Sequence, residues 1–187
     1  GQGNDTLDGG FVPVITEVQN VTLNGGALVA GDVVTIAGVT VGTTGTVTVV
    51  GGADADQIGS AFTTYAMANL STLSTALGET LASVTYDAVA NRINFNFTEA
   101  TGAVADGLIT ANVTNTSTTS TISATAYASG GTNGHVNYAP RVESADIYVF
   151  EATAALNGVD TLNNVDVSDT LDFSAFLGGV GAVSGTH

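Results

Sequence analysis

The segment Gly1-Gln2-Gly3-Asn4-Asp5-Thr6-Leu7-Asp8-Gly9-Gly10 constrains this chain more than any other. Glycines stand at its first and third positions, an aspartate at the fifth, a large apolar residue at the seventh, and two glycines open the next nine. Each type has a physical reason. The glycines permit tight turns with positive φ, the aspartate supplies hard carboxylate oxygens, and the leucine points into the thin core between stacked strands. Two further triplets, Asp160-Thr161-Leu162 and Asp169-Thr170-Leu171, lie nine residues apart, the same period. Gly158 keeps the glycine two before the first of these aspartates, whereas Val167 stands before the second. Leu156 and Val165 replace the glycine four before. One such turn cannot complete a cation shell of about six to eight oxygens, so neighbouring turns must share the ion. Asn163, Asn164, Asp166, Ser168 and Asp172 add oxygen donors to the second run.

The pattern G-G-x-G-x-D-x-U-x, filled here by Gly1, Gly3, Asp5 and Leu7, resembles the nonapeptide calcium repeats of the repeats-in-toxin family, over ten of the 187 residues. The resemblance implies a parallel β-roll that binds Ca²⁺. Its candidate ligands are Gly1, Gly3, Asp5 and Asp8 at one end, and Asp160, Asp166, Asp169 and Asp172 at the other. It also implies an extracellular or cell-surface protein exported by type I secretion, with an uncleaved signal near the C-terminus. No initiator Met, N-terminal signal peptide or membrane span is visible, and the chain opens in mid-repeat like a segment of a longer polypeptide. The run from Asp146-Ile147-Tyr148-Val149-Phe150 to Asp172-Phe173-Ser174-Ala175-Phe176-Leu177-Gly178-Gly179 resembles the ends of bacterial surface-layer and other type I-secreted proteins. The alternative for each Asp-Thr-Leu is a turn followed by a buried strand residue, the aspartate capping its own backbone in an Asx turn.

Charge narrows the partners. Seventeen acids face two cations, Arg92 and Arg141, for a net charge of −15. Such a chain repels phosphates and anionic headgroups, which argues against nucleic acid and membrane insertion and makes counter-cations the natural partners. Only 10% of residues are charged while 44% are apolar, so the chain folds rather than remaining an acidic tail. Without cysteine, calcium or oligomerisation is the available reinforcement.

Mostly β structure is expected: an antiparallel sheet or β-sandwich with one covering helix, flanked by partial calcium-binding β-roll-like turns at both ends. The divisions are a partial repeat over 1–10, a β-rich core over 11–130, and a loop, strand and degenerate repeat region over 131–187. Within the core, 12–23 reads as a strand and 33–41 with 46–50 as a hairpin across Gly42-Thr43-Thr44-Gly45. Ile58, Phe62, Tyr65, Ala66, Leu70, Leu73 and Leu77 mark a helix near 54–77. Asp54 and Asp56 cap it, Asn69 or Ser71 breaks it, and Gly78 ends it. A second hairpin joins 81–86 to 92–98, with Ile93, Phe95 and Phe97 on one face. Further strands are expected at 108–114, 121–127 and 145–153.

No catalytic signature emerges. H-E-x-x-H and G-x-S-x-G are absent, and His135 and His187 are the only histidines. His135 lies in a Gly/Asn-rich loop and reads as solvated. Asp54 and Asp56 read as helix caps rather than glycosidase carboxylates or a further calcium repeat. The leading expectation is a non-enzymatic, self-assembling extracellular subunit of a surface layer or matrix fibre. It is stabilised by Ca²⁺ and partnered by itself as a head-to-tail homopolymer or lattice. The alternative is a monomeric module of a large type I-secreted adhesin, calcium-stiffened, with the loop 131–138 binding a surface or glycan. A third reading is a secretion and folding domain cut from an exported enzyme.

Overall fold

The structure is a computed structural model describing residues 5–12, 14–116, 121–126 and 135–177. It is mostly β and divides into two compact units, one spanning 15–140 and the other built from 1–14 together with 141–187. Residues from both ends of the sequence thus build one unit, and the larger unit is inserted between them.

In chain order the elements begin with β1 Thr6–Asp8, β2 Phe11–Val12, β3 Val18–Asn24, β4 Val33–Ile36, β5 Val39–Gly42 and β6 Val47–Thr48. They continue with α1 Ala55–Ala68, α2 Leu70–Leu77, β7 Leu81–Asp87, β8 Arg92–Phe97, β9 Ala111–Thr114 and β10 Ser123–Ala126. Last come β11 Val142–Glu143, β12 Ile147–Val149, α3 Ala154–Asn157, β13 Thr161–Asn163 and β14 Thr170–Asp172. Among the described residues no helix is long and apolar enough to cross a membrane.

The larger unit holds two four-stranded sheets, ordered β10-β3-β8-β7 and β6-β5-β4-β9. The first is antiparallel throughout; in the second, β5 and β6 run parallel. Alternation sets the buried face: Ile93, Phe95 and Phe97 of β8 are almost fully buried, as the two-residue period requires. Val21 and Leu23 of β3, Val34 and Ile36 of β4, and Ile58, Phe62 and Ala66 of α1 join the same core. Phe62 meets Phe95 in a tilted arrangement with ring centroids 5.8 Å apart.

Helix α1 starts at a complete capping box. Asp54 Oδ1 accepts the Gln57 N–H at 2.9 Å, and Gln57 Oε1 accepts the Asp54 N–H at 3.1 Å. The expected helix breaks at Asn69, which ends α1 and begins α2, and Gly78 closes α2 with φ +75°. Two local expectations are corrected. The stretch 12–23 is not one strand: β2 and β3 are separate, and they belong to different sheets. The first hairpin turns at Ala37 and Gly38, not at 42–45, and joins β4 to β5 in register Ile36↔Val39. Both turn residues have positive φ, +48° and +78°, which matches the twist of the strands.

In the smaller unit β1 pairs parallel with β13, and β12 pairs parallel with β14. Along the chain the strands alternate between these two ladders. β2 and β11 pair antiparallel where the chain leaves this unit and returns to it. Leu7, Leu162 and Leu171 are half-buried and Tyr148 is buried, while Phe150 stacks on Phe173 at 4.3 Å.

Candidate functional site

The two regions of calcium-repeat pattern meet in the smaller unit. Thr6, Leu7 and Asp8 stand opposite Thr161, Leu162 and Asn163, so the N-terminal Asp-Thr-Leu lies in register on its C-terminal copy. The Asp5 N–H donates to Asp160 Oδ1 at 2.9 Å, and the Thr161 N–H donates to the Asp5 carbonyl at 2.9 Å. Beyond the strand, the Gly9 N–H reaches the Asn163 carbonyl at 3.3 Å.

The second ladder repeats this set of bonds. The Asp146 N–H donates to Asp169 Oδ1 at 2.9 Å and the Thr170 N–H to the Asp146 carbonyl at 2.8 Å. The Phe150 N–H then donates to the Asp172 carbonyl at 2.9 Å. Four turns therefore share one scheme, an aspartate followed two residues later by an inward apolar residue: Asp5/Leu7, Asp146/Tyr148, Asp160/Leu162 and Asp169/Leu171. In the two C-terminal Asp-Thr-Leu turns the aspartate holds the backbone of the neighbouring turn, and Asp169 holds that of its own turn as well. Asp146 was missed as a member of the series. Its signal was the Asp-x-large apolar spacing, hidden because Ile147-Tyr148 replaces Thr-Leu and no glycine precedes it.

The other expected ligands have separate placements. Both oxygens of Asp169 are hydrogen-bonded: its Oδ2 also accepts the Asp166 N–H at 2.9 Å. Asp166 closes an Asx turn, its Oδ1 accepting both the Ser168 N–H and the Ser168 hydroxyl at 2.6 Å. Asp172 Oδ1 accepts the Ser174 N–H at 2.8 Å, and hydrogen bonding from Ser174 holds its carboxyl below the usual carboxylate range. Asp8 is in β1 opposite Asn163. Gly1 and Gly3 lie outside the described residues, as does His187. Asp5 with Asp160 and Asp146 with Asp169 are joined across the ladders, and among the described residues no three of these aspartates form a metal-ligand group.

The larger unit holds a different cluster. Glu17 Oε1, Asp106 Oδ1 and His135 Nε2 lie within 4.8 Å of one another. Nε2 is 3.4 Å from Asp106 Oδ1 and 3.6 Å from Glu17 Oε1, and it also meets Asn137 Oδ1. The expectation of a solvated His135 is corrected: its side chain is 3% exposed and that of Glu17 2%, against 35% for Asp106. Bridges Ile15↔Ala139 and Val18↔Val136 bring residues 135–140 beside the start of β3 and so bury the imidazole. Two other buried polar side chains, Asp32 and Gln19, are hydrogen-bonded. Asp32 Oδ1 accepts from the Thr116 N–H and hydroxyl, and Gln19 bonds to Ala105 and Ile109. Glu17 differs: Oε2 accepts the Tyr138 N–H at 3.0 Å, but buried Oε1 receives no hydrogen bond.

Asp54 and Asp56 act at the start of α1, Asp54 as the cap and Asp56 in the first turn. Asp56 also accepts from the Tyr86 hydroxyl at 2.9 Å. Burial first, and then this bond, push the Tyr86 hydroxyl well above the usual phenol range. Compared with known proteins, the chain matches no family model, no curated protein and no solved structure.

Proposed function

We propose that the protein is a non-catalytic extracellular structural subunit that assembles with copies of itself through calcium-stabilised, roll-like turns in its smaller unit. The observation that carries this reading is the form of the two parallel ladders. Among the described residues each ladder has two strands, β1 with β13 and β12 with β14. Open parallel edges are templates for another strand of the same kind. Ile147 and Val149 of β12 and Val167 before β14 are 67%, 63% and 77% exposed, an apolar complement to those edges. A further pair of turns stacked on this unit makes a head-to-tail contact, and repetition of that contact is open-ended.

Calcium enters through charge. Nine of the seventeen acids lie in the smaller unit, with Arg141 its only Lys or Arg residue. Stacking one such unit on another concentrates like charge, and a divalent cation between turns removes that opposition while gathering oxygens from both layers. Asp5, Asp8, Asp160, Asp166, Asp169 and Asp172, with Asp146 added, are the carboxylates at hand.

A monomeric adhesin module is the second reading. It is favoured by the pairing of β1 with β13 inside one chain, which lets a single copy complete its own layers. Light scattering and electron microscopy in excess chelator and in millimolar Ca²⁺ separate the two. Reversible calcium-dependent filaments or sheets support assembly, whereas particles that stay monomeric in both conditions, with a calcium-dependent rise in Tm, support the module.

A further inference from the structure

We propose that Glu17, Asp106 and His135 form a binding site for one divalent transition-metal ion of the Zn²⁺ type, in the unit that lacks the calcium-repeat pattern. A carboxylate buried to this degree is costly unless each oxygen is paired or charge-compensated. Glu17 Oε1 is buried without a hydrogen bond, and it faces Nε2 of a buried imidazole. Hydrogen bonding does not resolve the cluster, because Nε2 carries at most one proton and three oxygens surround it. Asn137 Oδ1 also meets Nε2, and the two carboxylates stand 3.4 and 3.6 Å from the nitrogen.

A cation among these atoms satisfies all of them. Around a tetrahedral ion with ligand bonds of about 2.0–2.2 Å, neighbouring ligand atoms stand about 3.3–3.6 Å apart, close to the 3.4 and 3.6 Å that separate Nε2 from the two carboxylate oxygens. Two carboxylates and a neutral imidazole balance the charge of one divalent ion. The imidazole decides the class: calcium and magnesium favour all-oxygen shells, whereas a His/Glu/Asp set suits zinc and its neighbours. Asp106, 35% exposed, gives a route from solvent. Asn137 Oδ1 or a water completes the shell.

The ligands come from three separated stretches: the residue before β3, the segment between β8 and β9, and the return segment bridged to 15–18. An ion joining them closes two long loops, so its role is to clamp the fold.

The test titrates the purified chain with Zn²⁺ by calorimetry and with Co²⁺ by visible absorption, in millimolar Ca²⁺ to occupy oxygen-only sites. The expected result is one ion per chain, a tetrahedral Co²⁺ spectrum and a higher Tm. His135→Ala and Asp106→Asn should each weaken binding at least tenfold and remove that spectrum, whereas His187→Ala should leave both unchanged. Asp106→Asn alters a partly exposed side chain, so its fold is maintained if His135→Ala disturbs packing. Equal Zn²⁺ affinity in the parent and both variants, or an octahedral Co²⁺ spectrum in the parent, overturns the proposal.

Discussion

Replacing Asp160 by Asn and by Ala separates its hydrogen-bonding role from its charge. The Asp160 carboxylate accepts the Asp5 N–H at 2.9 Å in a half-buried setting. A hydrogen bond to a charged group contributes about 1.5–3 kcal/mol, and partial exposure places this one near the low end. Asp160→Ala therefore costs the β1–β13 ladder about 1–2 kcal/mol, which raises its local opening roughly 5- to 30-fold. Asp160→Asn keeps an acceptor oxygen and loses the charge assistance, a cost of about 0.5–1 kcal/mol and a roughly two- to fivefold change. Amide hydrogen exchange at Thr161 and Gly9, whose N–H groups bond across this ladder, reads the opening directly. In chelator the order of protection should be parent, Asn, Ala. In saturating Ca²⁺ the parent should gain protection and both variants should gain much less, since each lacks the carboxylate. Parent-like exchange in Asp160→Ala would refute the contribution assigned to the cross-turn bond. An equal calcium gain in parent and Asn variant would remove Asp160 from the ligand set.

Gly59→Ala should destabilise the larger unit by up to about 2 kcal/mol in urea unfolding followed by circular dichroism. A methyl there stands 2.5 and 2.6 Å from Cδ2 and Cζ of Tyr86, and overpacking of about 1–3 kcal/mol exceeds the helix-propensity gain of about 1 kcal/mol. In an alkaline absorbance titration one tyrosine should ionise later than the others, and Asp56→Asn should bring it down. Because the folded value is raised, its stabilising contribution is complete below about pH 10 and is lost as pH rises through the folded value. Asp172 has the opposite sign: its contribution is present above the ordinary Asp value of about 3.9 and is lost as pH falls through its lower folded value. Carboxyl NMR should show it protonating after ordinary aspartates, and Ser174→Ala should reduce the difference.

Local chemistry was legible where a single element determines it. The i, i+3, i+4 pattern with Asp54 before it placed the helix, and Asn69 its break. The alternation of Ile93, Phe95 and Phe97 placed β8 and its buried face. The first hairpin was misplaced because Ala37 occupies a left-handed position that glycine or asparagine normally marks, whereas the Gly-rich 42–45 looked the better turn. The pairing of 5–8 with 160–163 left only the shared Asp-Thr-Leu as a trace, since contacts between distant segments impose no local period. The Glu17 cluster was hidden for a related reason. Glutamate is rarely buried, His135 sits in polar sequence, and only the return of 135–140 to the start of β3 brings the two together.

The central claim is that the two ends of this sequence build one unit by laying Asp-Thr-Leu on Asp-Thr-Leu. Thr6 and Thr161 are exposed partners in that ladder, and the chain contains no cysteine to interfere. Adjacent parallel strands bring Cα atoms into the disulfide range of about 4.4–6.8 Å. The double variant Thr6→Cys/Thr161→Cys, oxidised at low concentration and resolved without reductant, should therefore yield an intramolecular disulfide within a monomer. Failure of the pair to oxidise, or exclusive formation of disulfide-linked oligomers, would contradict the pairing of these turns within one chain.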